Sequence, residues 1–169
     1  MIYHLERLGR NSYLCAPKKK KAYEVEIEDG VMKPLVSGPE AKRYEVPETE
    51  TFLPFPYERD PGGQMTLLPA ATMEERFPKA WAYLRGWEKE LRKRERSAFD
   101  DDQWYRFGRI QNIDKQDVEK LIVAQTVPRM RVCADYGGTK YLNNVRVNGI
   151  LSQRGVDQSY LLGALNGPR

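Results

Sequence analysis

Apolar and polar positions change their period along this chain, and the changes mark its elements. Tyr23, Val25 and Ile27 alternate with glutamates, the two-residue repeat of a half-buried strand. Residues 29–44, punctuated by Pro34, Gly38 and Pro39, predict a short helix or a turn. Phe52 to Tyr57 contains two prolines and so predicts an edge strand or an extended arm, closed by a turn at Asp60-Pro61-Gly62-Gly63. Phe77, Trp81, Leu84, Trp87 and Leu91 then recur at spacings of three and four, which predicts one long amphipathic helix. Thr72 and Glu75 read as its capping box, and Pro78 is expected to bend or restart it. Leu121 to Val127 suits a buried strand, and Arg131 to Tyr136 and Thr139 to Val147 flank Gly137-Gly138 as a hairpin. Asp157 is placed to cap a last helix, Gln158 to Asn166, which Gly167 would end. Strands, one long helix, more strands and shorter helices predict an α+β fold with mixed β-sheets.

Composition narrows the class. A chain of 169 residues supports a single domain over 1–169, or at most two small lobes. With 40% hydrophobic and 31% charged residues it is a globular chain and not a disordered one. No apolar run reaches the ~20 residues that span a bilayer, and no apolar segment follows the first charges, so a cytoplasmic protein with no membrane partner is expected. Cys15 and Cys133 are the only cysteines and His4 the only histidine. Two distant cysteines make no disulfide framework, and a zinc site would need four ligands. A lone histidine, in a tail-like position, leaves hydrolytic triads a single base, which argues against a hydrolase. Asp100-Asp101-Asp102 lacks the companion ligands of a calcium or magnesium site and reads as a solvated loop. The net charge of +4 is uneven: residues 1–60 carry 10 basic against 11 acidic groups, residues 101–169 carry 10 against 7. That balance permits a polyanionic partner without requiring one.

Six short motifs then fall in one order. They are Lys33-Pro34-Leu35-Val36-Ser37-Gly38 with Lys42-Arg43-Tyr44 and Phe55-Pro56-Tyr57; Phe77-Pro78, Tyr83-Leu84, Leu91 and Arg94; Trp104-Tyr105-Arg106-Phe107-Gly108-Arg109; Lys120-Leu121-Ile122-Val123; Tyr141 to Ile150; and Tyr160 to Asn166. In this order, from about residue 22 to 167, the chain resembles the target-recognition region of Taq-type adenine-N6 DNA methyltransferases, including fused restriction–modification enzymes and phage-defence relatives. The resemblance implies a target-recognition architecture that binds double-stranded DNA sequence-specifically. The family's Asn-Pro-Pro-aromatic motif and its Gly-rich S-adenosylmethionine loop are nowhere in the sequence. The resemblance therefore implies a fragment with no catalytic centre and no cofactor of its own. S-adenosylmethionine would be held by a catalytic domain of the parent protein, and some C-terminal support of this region would be missing.

Such a domain needs Arg and Lys for phosphates and guanine edges, and Asn or Gln for adenine edges. Candidate DNA-binding residues are Lys42 and Arg43 on a Pro/Gly-bounded turn, Arg94 at a helix end, Arg106 and Arg109 after Trp104, Lys120 before an apolar strand, Arg129 and Arg131 at a strand start, and Asn143 with Asn144. Each has a structural alternative. Arg94 also suits a helix C-terminus, Arg109 an ion pair with Asp114 or Asp117, Lys120 a strand-terminal charge, and the asparagines a local turn. Lys18 to Lys21 read as a solvated turn or a phosphate contact. Trp81 and Trp87 read first as core, with base stacking as the alternative for all three tryptophans. A protein-interaction module, docking a partner or an endonuclease domain, is the competing function. A carboxylate–lysine nuclease built on Asp117, Glu119 and Lys120 has the wrong spacing.

Overall fold

The computed structural model describes residues 2–18, 20–143, 146–153 and 155–167. The fold is α+β, with helices and several sheets. The chain forms two compact units that interleave in sequence: Met1–Lys33 with Phe52–Asp114, and Pro34–Thr51 with Lys115–Arg169.

In the first unit, β1 (Leu5–Gly9) and β2 (Ser12–Cys15) form a hairpin, and β3 (Tyr23–Glu26) pairs antiparallel with β2. The hairpin turn is locked by Asp29. Its carboxylate accepts from the Tyr13 hydroxyl at 2.5 Å, the Asn11 backbone at 3.0 Å and Arg7 at 2.9 Å. Asn11 tolerates the left-handed φ of 56° that the turn imposes, and its side chain accepts the Asp29 N–H in return. Burial works to raise the Asp29 pKa, but the Tyr13 and Asn11 hydrogen bonds and the Arg7 charge outweigh it, and the carboxyl stays below its ordinary value. A one-turn 3-10 helix at Asp29–Val31 leads into β4 (Met32–Val36), where the residue pattern predicted a helix or turn. β4 carries the chain out of this unit and β5 (Thr51–Pro54) carries it back, to lie beside β1. β6 (Tyr57–Arg59) and β7 (Met65–Leu67) form a hairpin around the expected turn. The segment 52–57 is thus one strand and the start of another, in place of a single edge strand.

The long helix does not exist as one element. The apolar stripe is distributed over α1 (Ala70–Arg76), α2 (Pro78–Gly86), α3 (Glu88–Arg92) and the single turn α4 (Arg94–Ser97). Phe77 breaks the first junction at φ −135° and ψ 57°, because a residue before proline is forced out of the α region. Trp87, after Gly86, breaks the second, and Glu95 and Arg96 lie in left-handed backbone inside α4. Thr72 caps nothing, since α1 already begins at Ala70. The open N–H groups of α2 at Lys79 and Ala80 are instead accepted by the distant Glu28 carboxylate, at 2.8 and 2.9 Å. The stripe itself holds: Trp81, Leu84, Trp87 and Leu91 are buried with Leu5, Tyr13, Met73 and Tyr105 in one core. Each break therefore redirects the axis without turning the apolar face away from that core.

In the second unit, β8 (Lys120–Ala124) lies between β9 (Val132–Asp135) and β11 (Val147–Ile150), both antiparallel to it. β10 (Tyr141–Leu142) pairs parallel with the end of β4. The expected hairpin across Gly137-Gly138 is therefore absent, and the strands on either side of these glycines take different partners. Asp135 explains the departure, because its carboxylate accepts the Thr139 and Lys140 N–H groups and turns the chain off the sheet. Gly138 is required there: its φ is +61°, and a Cβ would lie 2.8 Å from the Val118 carbonyl carbon. α5 (Gln158–Asn166) is capped by Asp157 as its sequence predicts, the carboxylate accepting Ser159 and Tyr160 N–H. Both cysteines are buried and free. Among the described residues no helix is long and apolar enough to cross a membrane.

Candidate nucleic-acid interface

The candidate residues divide between the units. Arg94, Arg106 and Arg109 belong to the first; Lys42, Arg43, Lys120, Arg129, Arg131 and Asn143 belong to the second. Asn144 lies outside the described residues.

In the first unit, Arg94 is a structural bolt. Its guanidinium donates to the backbone carbonyls of Leu91, Trp104 and Arg106 at 2.7–2.9 Å and lies 4.2 Å from the Phe99 ring centre. Arg106 is also engaged. It lies 4.6 Å from the Phe99 ring, donates to the Ala98 carbonyl and pairs with Asp101 at 2.5 Å. The Arg106 hydrogen bond holds the Asp101 carboxyl below its ordinary pKa. These two arginines hold the loop 98–106 against α3 and are not free for phosphate. Arg109 is exposed.

Lys120 must be removed from the interface. Its side chain is 1% exposed, and its ammonium group donates to Asp135 at 2.8 Å and to the carbonyls of Gln116 and Val118 at 2.7 and 3.0 Å. All three donors are used, inside the protein. The lysine-before-apolar-strand pattern is the signature of this internal pair and not of a loop-edge cation. Asn143 sits at a turn, its backbone N–H donating to the Val36 carbonyl and its own carbonyl accepting the Arg146 N–H. Lys42 is exposed and pairs loosely with Glu45 at 3.5 Å.

What remains converges on a groove of about 710 Å³ in the second unit. Three segments build it. The first is the turn 41–46, tied to the edge of β9 by a Tyr44 N–H to Val132 carbonyl bond of 3.1 Å. The second is the connection 125–131 between β8 and β9. The third is the end of α5, where the buried Asn166 amide accepts the Val132 N–H at 3.0 Å and donates to its carbonyl at 2.7 Å. Asn166 thus closes the open edge of β9, as a further strand would.

Arg43, Tyr44, Arg129 and Met130 line the groove, and no carboxylate is among its lining residues. Arg131 follows Met130 in the chain, is half-buried and is not among the lining residues. The Nε atoms of Arg43 and Arg131 are buried and have no hydrogen-bond partner among the described residues. Arg129 is exposed. Tyr44 is 56% exposed, unusual for an aromatic side chain at a concave site, with the Arg43 guanidinium 5.7 Å from its ring. Tyr44 and Thr126 both hold left-handed backbone, with φ of 63° and 53°. For β-branched Thr126 this conformation is costly, and strain of this kind clusters at ligand sites.

Arginines at a groove with no lining carboxylate, beside an exposed ring, can grip an anionic backbone and stack on a planar group. The sequence marked Arg43, Arg129 and Arg131 but missed Tyr44, Thr126, Met130 and Asn166. Tyr44 was next to a marked arginine, and an aromatic residue after two cations on a Pro/Gly-bounded turn was the available signal. Nothing local distinguishes Thr126 or Asn166. No protein-family model matches the sequence, and no curated protein matches it.

Proposed function

We propose that this chain is the DNA-reading part of an adenine-N6 DNA methyltransferase of the restriction–modification or phage-defence kind, and that the groove around Arg43, Tyr44 and Arg129 meets double-stranded DNA. One observation carries the reading: Arg43 and Arg129 line one groove with the exposed Tyr44, and no carboxylate is among its lining residues. Guanidinium groups at a groove with no lining carboxylate suit phosphate oxygens, which fix register, and guanine edges, which carry sequence. The order of motifs along the chain supports the same reading. Methyl transfer would need S-adenosylmethionine held on a separate catalytic domain, since the motifs for binding it do not occur in this sequence.

Titration of a fluorescent duplex against salt tests this. Two arginine–phosphate contacts give a log–log slope of about −1.8, so affinity falls about 12-fold between 50 and 200 mM salt. Arg129→Ala should flatten the slope by about 0.9, while Arg106→Ala should leave it unchanged. Salt-insensitive binding, or an Arg106→Ala effect as large as that of Arg129→Ala, would overturn the proposal.

A second reading, docking of a protein partner such as that catalytic domain, is favoured by apolar exposure in a different segment. Leu151, Val156 and Tyr160 are exposed, Tyr160 by 76%. Such exposure is typical of contact surfaces. Pull-down of a catalytic domain by the wild-type chain but not by Tyr160→Ser would support it.

A further inference from the structure

The first unit holds a second cavity that the DNA-reading proposal does not use. Its volume is about 370 Å³, and its walls are Tyr23 and Val25 from β3 and Ala82, Tyr83, Gly86 and Trp87 from α2 and its end. The aromatic walls are fixed. The Trp87 indole N–H donates to the Tyr23 hydroxyl at 3.2 Å, and the Tyr83 hydroxyl donates to the Ile2 carbonyl at 2.6 Å. One occupant is already present. The Lys20 ammonium lies 4.1 Å from the centre of the Trp87 ring, and Glu90 stands 3.5 Å from the same nitrogen. A flat aromatic face, a second ring at its edge and a carboxylate beside them form the arrangement that attracts an organic cation.

We propose that this pocket is a binding site for a trimethylammonium group, and that Lys20 is its tethered internal occupant. Two features argue for exchange over a purely structural contact. Lys20 reaches the pocket from an exposed loop, and its pairing with Glu90 is long and solvent-exposed on both sides, so little holds it. A trimethylammonium group carries the same charge but sheds water more easily than a lysine ammonium. It would also bring three methyl groups against Val25 and Ala82, which Lys20 cannot do. Its charge would keep the Glu90 contact. Displaced, Lys20 would return to solvent, where Lys21 already lies.

Indole N–H resonances of the whole chain give the test, because Trp81 and Trp104 pack on each other in the core and serve as internal references. The probes are choline and a peptide bearing one trimethyllysine. Either should shift the Trp87 indole signal saturably and leave the other two in place. Lys20→Ala removes the competitor and should tighten binding about three- to tenfold, while Glu90→Gln should weaken it about threefold. Binding of choline would identify the headgroup alone as sufficient; binding of the peptide only would identify a methylated side chain as the ligand. Absence of a saturable Trp87 shift with both probes, in wild type and in Lys20→Ala, would overturn the site. Equal affinity of wild type and Lys20→Ala would overturn the role given to Lys20. Neither result bears on duplex binding, which is read at residues of the other unit.

Discussion

Lys120→Met is the sharpest test of how the second unit is held together. The native ammonium satisfies three acceptors, Asp135 and the carbonyls of Gln116 and Val118, with Lys120 1% and Asp135 2% exposed. Methionine matches the length and apolar stem of lysine, so little volume is lost. The Asp135 carboxylate would keep the Thr139 and Lys140 N–H groups but lose the Lys120 cation. Breaking one side of a buried pair in this way costs about 3–5 kcal/mol, and the two orphaned carbonyls act in the same direction. Equilibrium unfolding in urea should report this as a lower midpoint with an unchanged slope. Lys120→Met/Asp135→Asn removes the stranded charge and keeps an amide oxygen for the loop N–H groups. It should therefore be more stable than Lys120→Met alone by about 2 kcal/mol. Duplex affinity per folded molecule should not change in either variant. A loss below about 1 kcal/mol for Lys120→Met, or weaker DNA binding without loss of stability, would refute the reasoning and return Lys120 to the surface.

Asn166→Ala strips the β9 edge of both amide contacts and leaves the buried Val132 N–H without an acceptor, at a cost of about 2–3 kcal/mol and with faster hydrogen exchange at Val132. Cys133 is fully buried, and burial together with the Asp135 charge pushes its thiol up to about 11 from an ordinary 9.0. Native protein should resist thiol reagents at pH 8 at this position and label only on unfolding. Because the folded state favours the neutral thiol, its contribution is complete below pH 9.0 and lost as pH rises towards about 11. The stability difference between wild type and Cys133→Ala should therefore shrink over that window, as measured by unfolding at a series of pH values.

The sequence alone determined what depends on near neighbours. The α+β class, strand β8, the turn at residues 60–63 and the Asp157-capped helix were all legible, because alternation, turn residues and a capping carboxylate act within a few positions. The helical stripe was legible as a buried face even though its helix was not, since burial follows spacing while continuity depends on Phe77 before Pro78 and on Trp87 after Gly86. Only the tertiary structure decided the rest. Local sequence gives no sign that Glu28 caps α2, that Asn166 closes β9, or that Asp135 turns the Gly137-Gly138 segment away from a hairpin. The candidate cations show the limit most plainly. Arg94, Arg106, Arg129 and Lys120 look alike in sequence. Whether each is a bolt, a salt bridge, an open guanidinium or a buried ion was set by the acids and carbonyls that folding brought to it, because a charge takes its role from its partners and its solvent, and neither is encoded within a few residues.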